Sequence, residues 1–174
     1  KYQHEYAKRQ NSNVNYVLTD WHNLSGQYDK IYSDGCLVHQ SDMQDEYFAK
    51  HKELLKDGGI AIIKEMHFRE DSGVGEDNCR DLGNTFGFAG QYRTLETDVK
   101  GIEAQGFTVD VVTIPIESYI KTQTTWQKNM DLDKDKMNAI DAHRRELDHK
   151  TWGLYVQLMR DGMFSLDIMI CQKQ

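Results

Sequence analysis

Four short clusters of acidic, hydroxyl-bearing and aromatic residues follow β-prone runs or strand ends in this sequence: Asp20-Trp21, Ser33-Asp34-Gly35, Lys64-Glu65 and Glu117-Ser118-Tyr119. Carboxylates, an ammonium and a phenol can hold polar groups by hydrogen bonds and pass protons between them. His39 lies just beyond the second cluster, where an imidazole either accepts a proton near neutral pH or simply caps a helix that starts there. The three cysteines, Cys36, Cys79 and Cys171, sit in separate segments without metal-ligand spacing. Reduced cytosolic thiols, and no metal, are the expectation.

Alternating strands and helices must bring these clusters together. Val14–Leu18 and Tyr28–Tyr32 read as short strands. Gln44–Lys56 reads as a helix with Tyr47, Phe48, Leu54 and Leu55 on one side, stopped by glycine at Gly58. Ile60–Ile63 reads as a strand buried on both faces, Leu95–Gln105 as a helix stopped at Gly106, and Phe107–Ile116 as a β-branched strand reaching Pro115. A helical region from Thr124 to Arg160 carries Met137, Ile140, Leu147, Leu154 and Leu158 near helical spacing, which predicts a packing face. Phe164–Cys171 is the last strand. This order predicts an α/β fold with a mainly parallel sheet and a last strand running against the others at its edge. Ligands of such sheets bind beyond the carboxyl ends of the strands, which is where the clusters collect.

The chain has 174 residues, 39% of them hydrophobic, enough for one domain with its own core. A net charge of −7, with lysine and arginine interleaved among acids, is the wrong sign for a nucleic-acid groove. No apolar run reaches the roughly 18 residues that a membrane span needs.

Asp20-Trp21, the run Tyr28-Asp29-Lys30-Ile31-Tyr32-Ser33-Asp34-Gly35, and Leu54-Leu55-Lys56-Asp57-Gly58-Gly59 ahead of a strand resemble the middle of a class I S-adenosylmethionine-dependent methyltransferase. Three further segments narrow the likeness: Phe86-Gly87-Phe88-Ala89-Gly90, Tyr119-Ile120-Lys121-Thr122 with Trp126 and Met130, and Arg160-Asp161-Gly162 followed by Asp167-Ile168. Together they resemble the group of cyclopropane-fatty-acid synthases, mycolic-acid methyltransferases and coclaurine N-methyltransferases. The resemblance implies a Rossmann-like methyltransferase sheet with S-adenosylmethionine as cofactor. It implies that residues 1–174 are the C-terminal portion of one catalytic domain, with a helical substrate-covering insertion at 117–163. It also implies that the family's first strands and glycine-rich loop are missing here and are supplied in cis or by a second chain. A sheet so shortened is expected to bind cofactor poorly alone and to associate.

By the same likeness Asp20, Trp21, His22, Ser33 and Gly35 contact the cofactor, while Lys64 and Tyr155 face the acceptor. His39, Glu65 and Tyr119 are the candidate catalytic residues. Three positions depart from the family: its glutamate before the histidine is Val38, its histidine after the next strand is Lys64, and its cysteine near the C-terminal helix is Tyr155. Cyclopropane closure needs a base to remove a proton from a methylated carbocation, so simple methyl addition to a lipid or small-molecule acceptor, carbon or amine, is expected. Two alternatives remain from sequence. Cys36–Asp42 and Ile62–Glu65 also resemble protein N-terminal α-amine methyltransferases, which lack the helical insertion. A non-catalytic half-domain that pairs with a partner chain would also show a degraded site.

Overall fold

The computed structural model describes residues 2–10, 13–69 and 92–174. Cys79 and the Phe86–Gly90 segment lie outside the described residues. Helix α1 (Tyr2–Gln10) precedes a 3-10 turn at Trp21–Asn23 and strand β1 (Tyr28–Asp34). A 3-10 segment, Leu37–Met43, leads into α2 (Gln44–Leu54) and β2 (Leu55–Phe68). Then come α3 (Leu95–Ala104), β3 (Phe107–Ile114), α4 (Ile116–Leu132), α5 (Lys134–Arg160) and β4 (Phe164–Lys173).

The sheet order is β1-β2-β4-β3. β1 runs parallel to β2, whereas β4 is antiparallel to both β2 and β3. The last strand does oppose the others, but it is threaded between β2 and β3 rather than added at the edge. That position gives β4 two ladders and buries Leu166, Asp167, Met169 and Cys171; an edge strand would leave one row of peptide groups unpaired.

Val14–Leu18 is not a strand. Val17 and Leu18 are 64% and 59% exposed, and among the described residues β1 pairs only with β2. A β-prone run without a neighbouring strand has no ladder to join. The helix predicted to Lys56 ends at Leu54, and the chain enters β2 directly. Gly58, with φ +72°, lies where the β1–β2 register shifts between the pairs Tyr28↔Leu55 and Lys30↔Ile60, so its conformational freedom serves the irregular strand start.

Alternation along β2 and β4 splits the core into two faces. Ala61, Ile63, Met169 and Cys171 pack with Phe48, Ile102 and Phe107 under α2 and α3. Met66, Phe68, Phe164 and Leu166 pack with Tyr155 and Met159 of α5. The predicted apolar stripe of that helix is displaced: its buried residues are Tyr155, Val156 and Met159, and Ile140 is 87% exposed. The backbone breaks at Asp141, where φ and ψ leave the helical region. The Arg144 amide donates to the Asp141 carboxylate at 2.9 Å, which caps a new helical segment there. α4 and α5 are fastened by Trp126 against Trp152, centroids 5.2 Å apart, and by Arg145 to Asp131 at 3.0 Å. No helix of the described residues is long and apolar enough to cross a membrane.

Candidate active site

A pocket of about 240 Å³ opens at the carboxyl ends of β1 and β2, roofed by α4 and α5. From β1 and the turn after it come Asp34, Gly35, Val38 and His39; from β2, Lys64, Glu65 and Met66. Tyr119 and Gln123 come from α4, and Arg144, Asp148, Thr151, Trp152 and Tyr155 from α5. Parallel strands deliver their carboxyl ends to one rim, so clusters distant in sequence meet there.

Five of the candidate catalytic and acceptor-facing residues (His39, Lys64, Glu65, Tyr119 and Tyr155) line this pocket, as does Gly35. Asp20, Trp21 and His22 do not. Asp20 is exposed and accepts from the His22 amide at 2.9 Å and pairs with its Nδ1 at 2.5 Å. These bonds hold its carboxyl below the usual range. Trp21 stacks on His22 at 3.6 Å and meets Tyr47 edge-on at 5.2 Å. Ser33 is buried and its hydroxyl bonds Tyr47 Oη at 3.0 Å, so that side chain belongs to the core rather than to the pocket.

Ion pairs set the electrostatics. Lys64 Nζ lies 3.1 Å from Asp34 and 5.9 Å from the centre of the Tyr119 ring. Burial works against its charge, but Asp34 outweighs it and raises the lysine pKa. Glu65 is 6% exposed; its Oε2 accepts from the Val38 amide at 3.2 Å and its Oε1 from the Met66 amide at 3.0 Å. Burial pushes its carboxyl up against those two bonds. Tyr92 donates to Tyr155 Oη at 3.3 Å, and burial raises both phenols. Arg144 pairs with Asp148 at 2.9 Å.

Sequence reasoning passed over Gln123, Arg144, Asp148, Thr151 and Trp152. Their signal was spacing: Tyr119 and Gln123 are four apart, and 144, 148, 151, 152 and 155 repeat at helical intervals, a polar and aromatic stripe where a plain packing face would be apolar. It also passed over His67, buried between Asp98 and Asp167 at 3.3 and 2.9 Å.

Gly35 tests whether the residues fit a nucleoside cofactor. It has φ +62°, and among the described residues nothing lies within 4 Å of where a Cβ would stand, which leaves room for a ligand against the backbone after β1. The half-buried indole and exposed carboxylate of Trp21 and Asp20 suit an aromatic base and a hydrogen-bond donor. These residues fit.

An α/β sheet with the last strand inserted antiparallel, and a pocket at its carboxyl rim under added helices, is the fold of Rossmann-like methyltransferases, and the family match places the chain among those that depend on S-adenosylmethionine. The chain belongs to the mycolic acid cyclopropane synthetase family, whose sequence profile matches residues 2–172. A sequence search among curated proteins returns no match. Among solved structures it is similar to the cyclopropane synthase MmaA2 from Mycobacterium tuberculosis, at TM-score 0.88 and 19% identity over 99% of this chain and 67% of that one. Mycolic acid cyclopropane synthase CmaA1, complexed with SAH and CTAB, gives TM-score 0.88 and 20% identity over 99% and 67%. Phosphoethanolamine N-methyltransferase 2 of Haemonchus contortus, in complex with phosphomonomethylethanolamine and S-adenosylhomocysteine, gives 0.76 and 16% over 97% of this chain and 40% of that one.

Proposed function

We propose that this protein transfers a methyl group from S-adenosylmethionine to a lipid or small-molecule acceptor held in the α4–α5 pocket, without ring closure. The observation that supports this most is the pocket wall itself, where Val38, Lys64 and Tyr155 stand at the positions that the resemblance gives to the glutamate, histidine and cysteine of cyclopropane synthases. Lys64 is held to Asp34 at 3.1 Å, and a cation so committed is a poor base for a carbocation proton.

S-adenosylmethionine supplies an activated methyl group on a sulfonium whose leaving thioether needs no acid. The protein's work is then alignment and exclusion of water. In this reading Asp20, Trp21 and His22 hold the nucleoside end, with Ser33 and Gly35 shaping the turn that passes beside it. Tyr119 and Tyr155 orient the acceptor against the aromatic wall. His39 and Glu65 are the groups available to take a proton from an acceptor that arrives charged. The 117–163 insertion covers the acceptor, and the edge of β1 that pairs with no other described strand receives a preceding segment of the same chain or a second chain. A second copy on that edge would make an oligomer. The free thiols of Cys36 and Cys171 suit a cytoplasmic setting.

Mass spectrometry of acceptors incubated with the protein, its natural flanking sequence and a trideuteromethyl cofactor tests this. Retention of all three deuteriums is expected. Systematic loss of one means proton abstraction from the new methyl and restores ring closure. Tyr119→Phe is expected to slow turnover about tenfold, the worth of a hydrogen bond in an aligned site; unchanged turnover removes Tyr119 from the pocket chemistry.

A further inference from the structure

The pocket wall holds a buried acceptor that has no donor among the described residues. Gln123 is 1% exposed and lines the cavity, and its side-chain oxygen has no hydrogen-bond partner among the described residues. A buried carbonyl oxygen without a donor is costly to keep, and such groups mark a place where something else binds. Glu65 lines the same cavity. Its carboxyl takes backbone amides from Val38 and Met66, and no ion pair among the described residues includes it. The cations at the mouth are already engaged, Lys64 by Asp34 and Arg144 by Asp148. Aromatic rings of Tyr119, Trp152 and Tyr155 make up much of the remaining wall.

We propose that this pocket is specific for an amine acceptor, bound as a primary or secondary ammonium that donates to Gln123 Oε1 and lies toward Glu65 among the aromatic rings. The assignment rests on the methyl-transfer reading above and narrows it. A carboxylate or phosphate headgroup would meet the Glu65 carboxyl, while Lys64 and Arg144 are already paired to Asp34 and Asp148. An alkene would leave the Gln123 oxygen unsatisfied. An ammonium supplies the missing donors, and aromatic faces favour a cation close to them.

Reaction from this pose balances simply. The bound ammonium gives one proton to the Glu65 carboxylate, whose burial suits it to accept one. The freed lone pair forms the new N–C bond as the C–S bond breaks, and that electron pair leaves on the neutral thioether. The methylated product carries the positive charge, and the proton on Glu65 passes to solvent.

The experiment is calorimetric titration of the protein, in its natural flanking sequence, with phenethylamine, 2-phenylethanol and phenylacetate, each with and without S-adenosylhomocysteine. The amine is expected to bind at least about tenfold tighter than either isostere, as a charge-assisted bond to a buried acceptor should. Gln123→Leu is expected to lose about tenfold of amine affinity while the alcohol changes little. Gln123→Glu, which keeps the shape and the acceptor oxygens, retains amine binding. Thermal melts of both variants establish that they fold. Equal affinity for amine and alcohol, or a folded Gln123→Leu protein that binds amine as before, overturns the assignment. Binding of S-adenosylhomocysteine without amine preference overturns the amine assignment alone. Failure to bind S-adenosylhomocysteine overturns the methyltransferase reading and the amine assignment with it.

Discussion

Replacing His67 by glutamine should abolish a pH dependence of stability that the fold builds into its sheet. The ring is 1% exposed. Its Nδ1 lies 2.9 Å from Asp167 of β4 and its Nε2 3.3 Å from Asp98 of α3. Asp98 is in turn held by Arg93 at 3.1 Å, and Asp167 accepts from Thr113 and Ser165 at 2.6 and 2.5 Å. Burial disfavours the imidazolium, but the two carboxylates prevail and hold its pKa up at about 9. Against an ordinary value of about 6.5 in the unfolded chain, that difference is worth about 3 kcal/mol. Because the folded value is the higher one, this stabilisation is complete below about pH 6.5 and is lost as pH rises through about 9. Asp167 acts in the opposite sense: with its carboxyl held below the usual range, its contribution is lost only as pH falls below about 4. Urea unfolding followed by circular dichroism at about pH 6 and about pH 10 measures the effect on the protein with its flanking sequence. The wild type should lose about 3 kcal/mol more than His67→Gln across that interval, and the variant should be about 3–5 kcal/mol less stable at the lower pH because buried Asp167 loses its cation and Asp98 keeps only Arg93. Parallel profiles for the two proteins would refute the reasoning.

Three further outcomes are expected. Asp20→Ala and Trp21→Ala should each weaken S-adenosylmethionine binding about tenfold, the scale of one lost hydrogen bond or stacking contact; equal affinity by calorimetry in all three proteins removes both residues from the site. The 174-residue chain alone should self-associate, since Tyr28 and Tyr32 are 46% and 64% exposed on β1, which among the described residues pairs with β2 alone; sedimentation as a monomer with cooperative unfolding contradicts this. Phe48→Ala should cost about 3–5 kcal/mol by opening a cavity beneath α2, read as a lowered urea midpoint, and a loss under about 1 kcal/mol would show that the face collapses around it.

Local signals carried the reading of this fold a long way. Gly106 after α3, the apolar run at Ile60–Ile63 and the β-branched run after Phe107 mark a helix end and two strands because their causes lie within a few residues, whereas Gly58 falls inside β2 rather than at the end of α2. Strand neighbours are not local. Nothing in Phe164–Cys171 says that it slots between β2 and β3, and Val14–Leu18 has the composition of a strand without a partner to pair with. One clue to the interior was legible: Asp167 is a charge in the middle of an apolar strand, and such a residue requires a buried counterpart, which His67 provides. For the site, resemblance brought His39, Lys64, Glu65, Tyr119 and Tyr155 to one pocket. It passed over Gln123 because a glutamine on a helix looks like a solvated residue until the second helix is laid across it.

The placement of β4 also dictates the order in which the molecule can be assembled on the ribosome. Among the described residues β3 pairs with nothing but β4, and β4 is the last of the four strands to be synthesised. Until Phe164–Lys173 emerges, β3 has no ladder to join. The two roof helices, joined in sequence to β3 and β4, have no finished floor to settle on. β1 and β2, already parallel partners, can pair while translation continues. The pocket therefore cannot close until that segment docks between β2 and β3, and a nascent chain stalled before Phe164 would expose both the inner edge of β2 and the apolar face of α5 to other polypeptides.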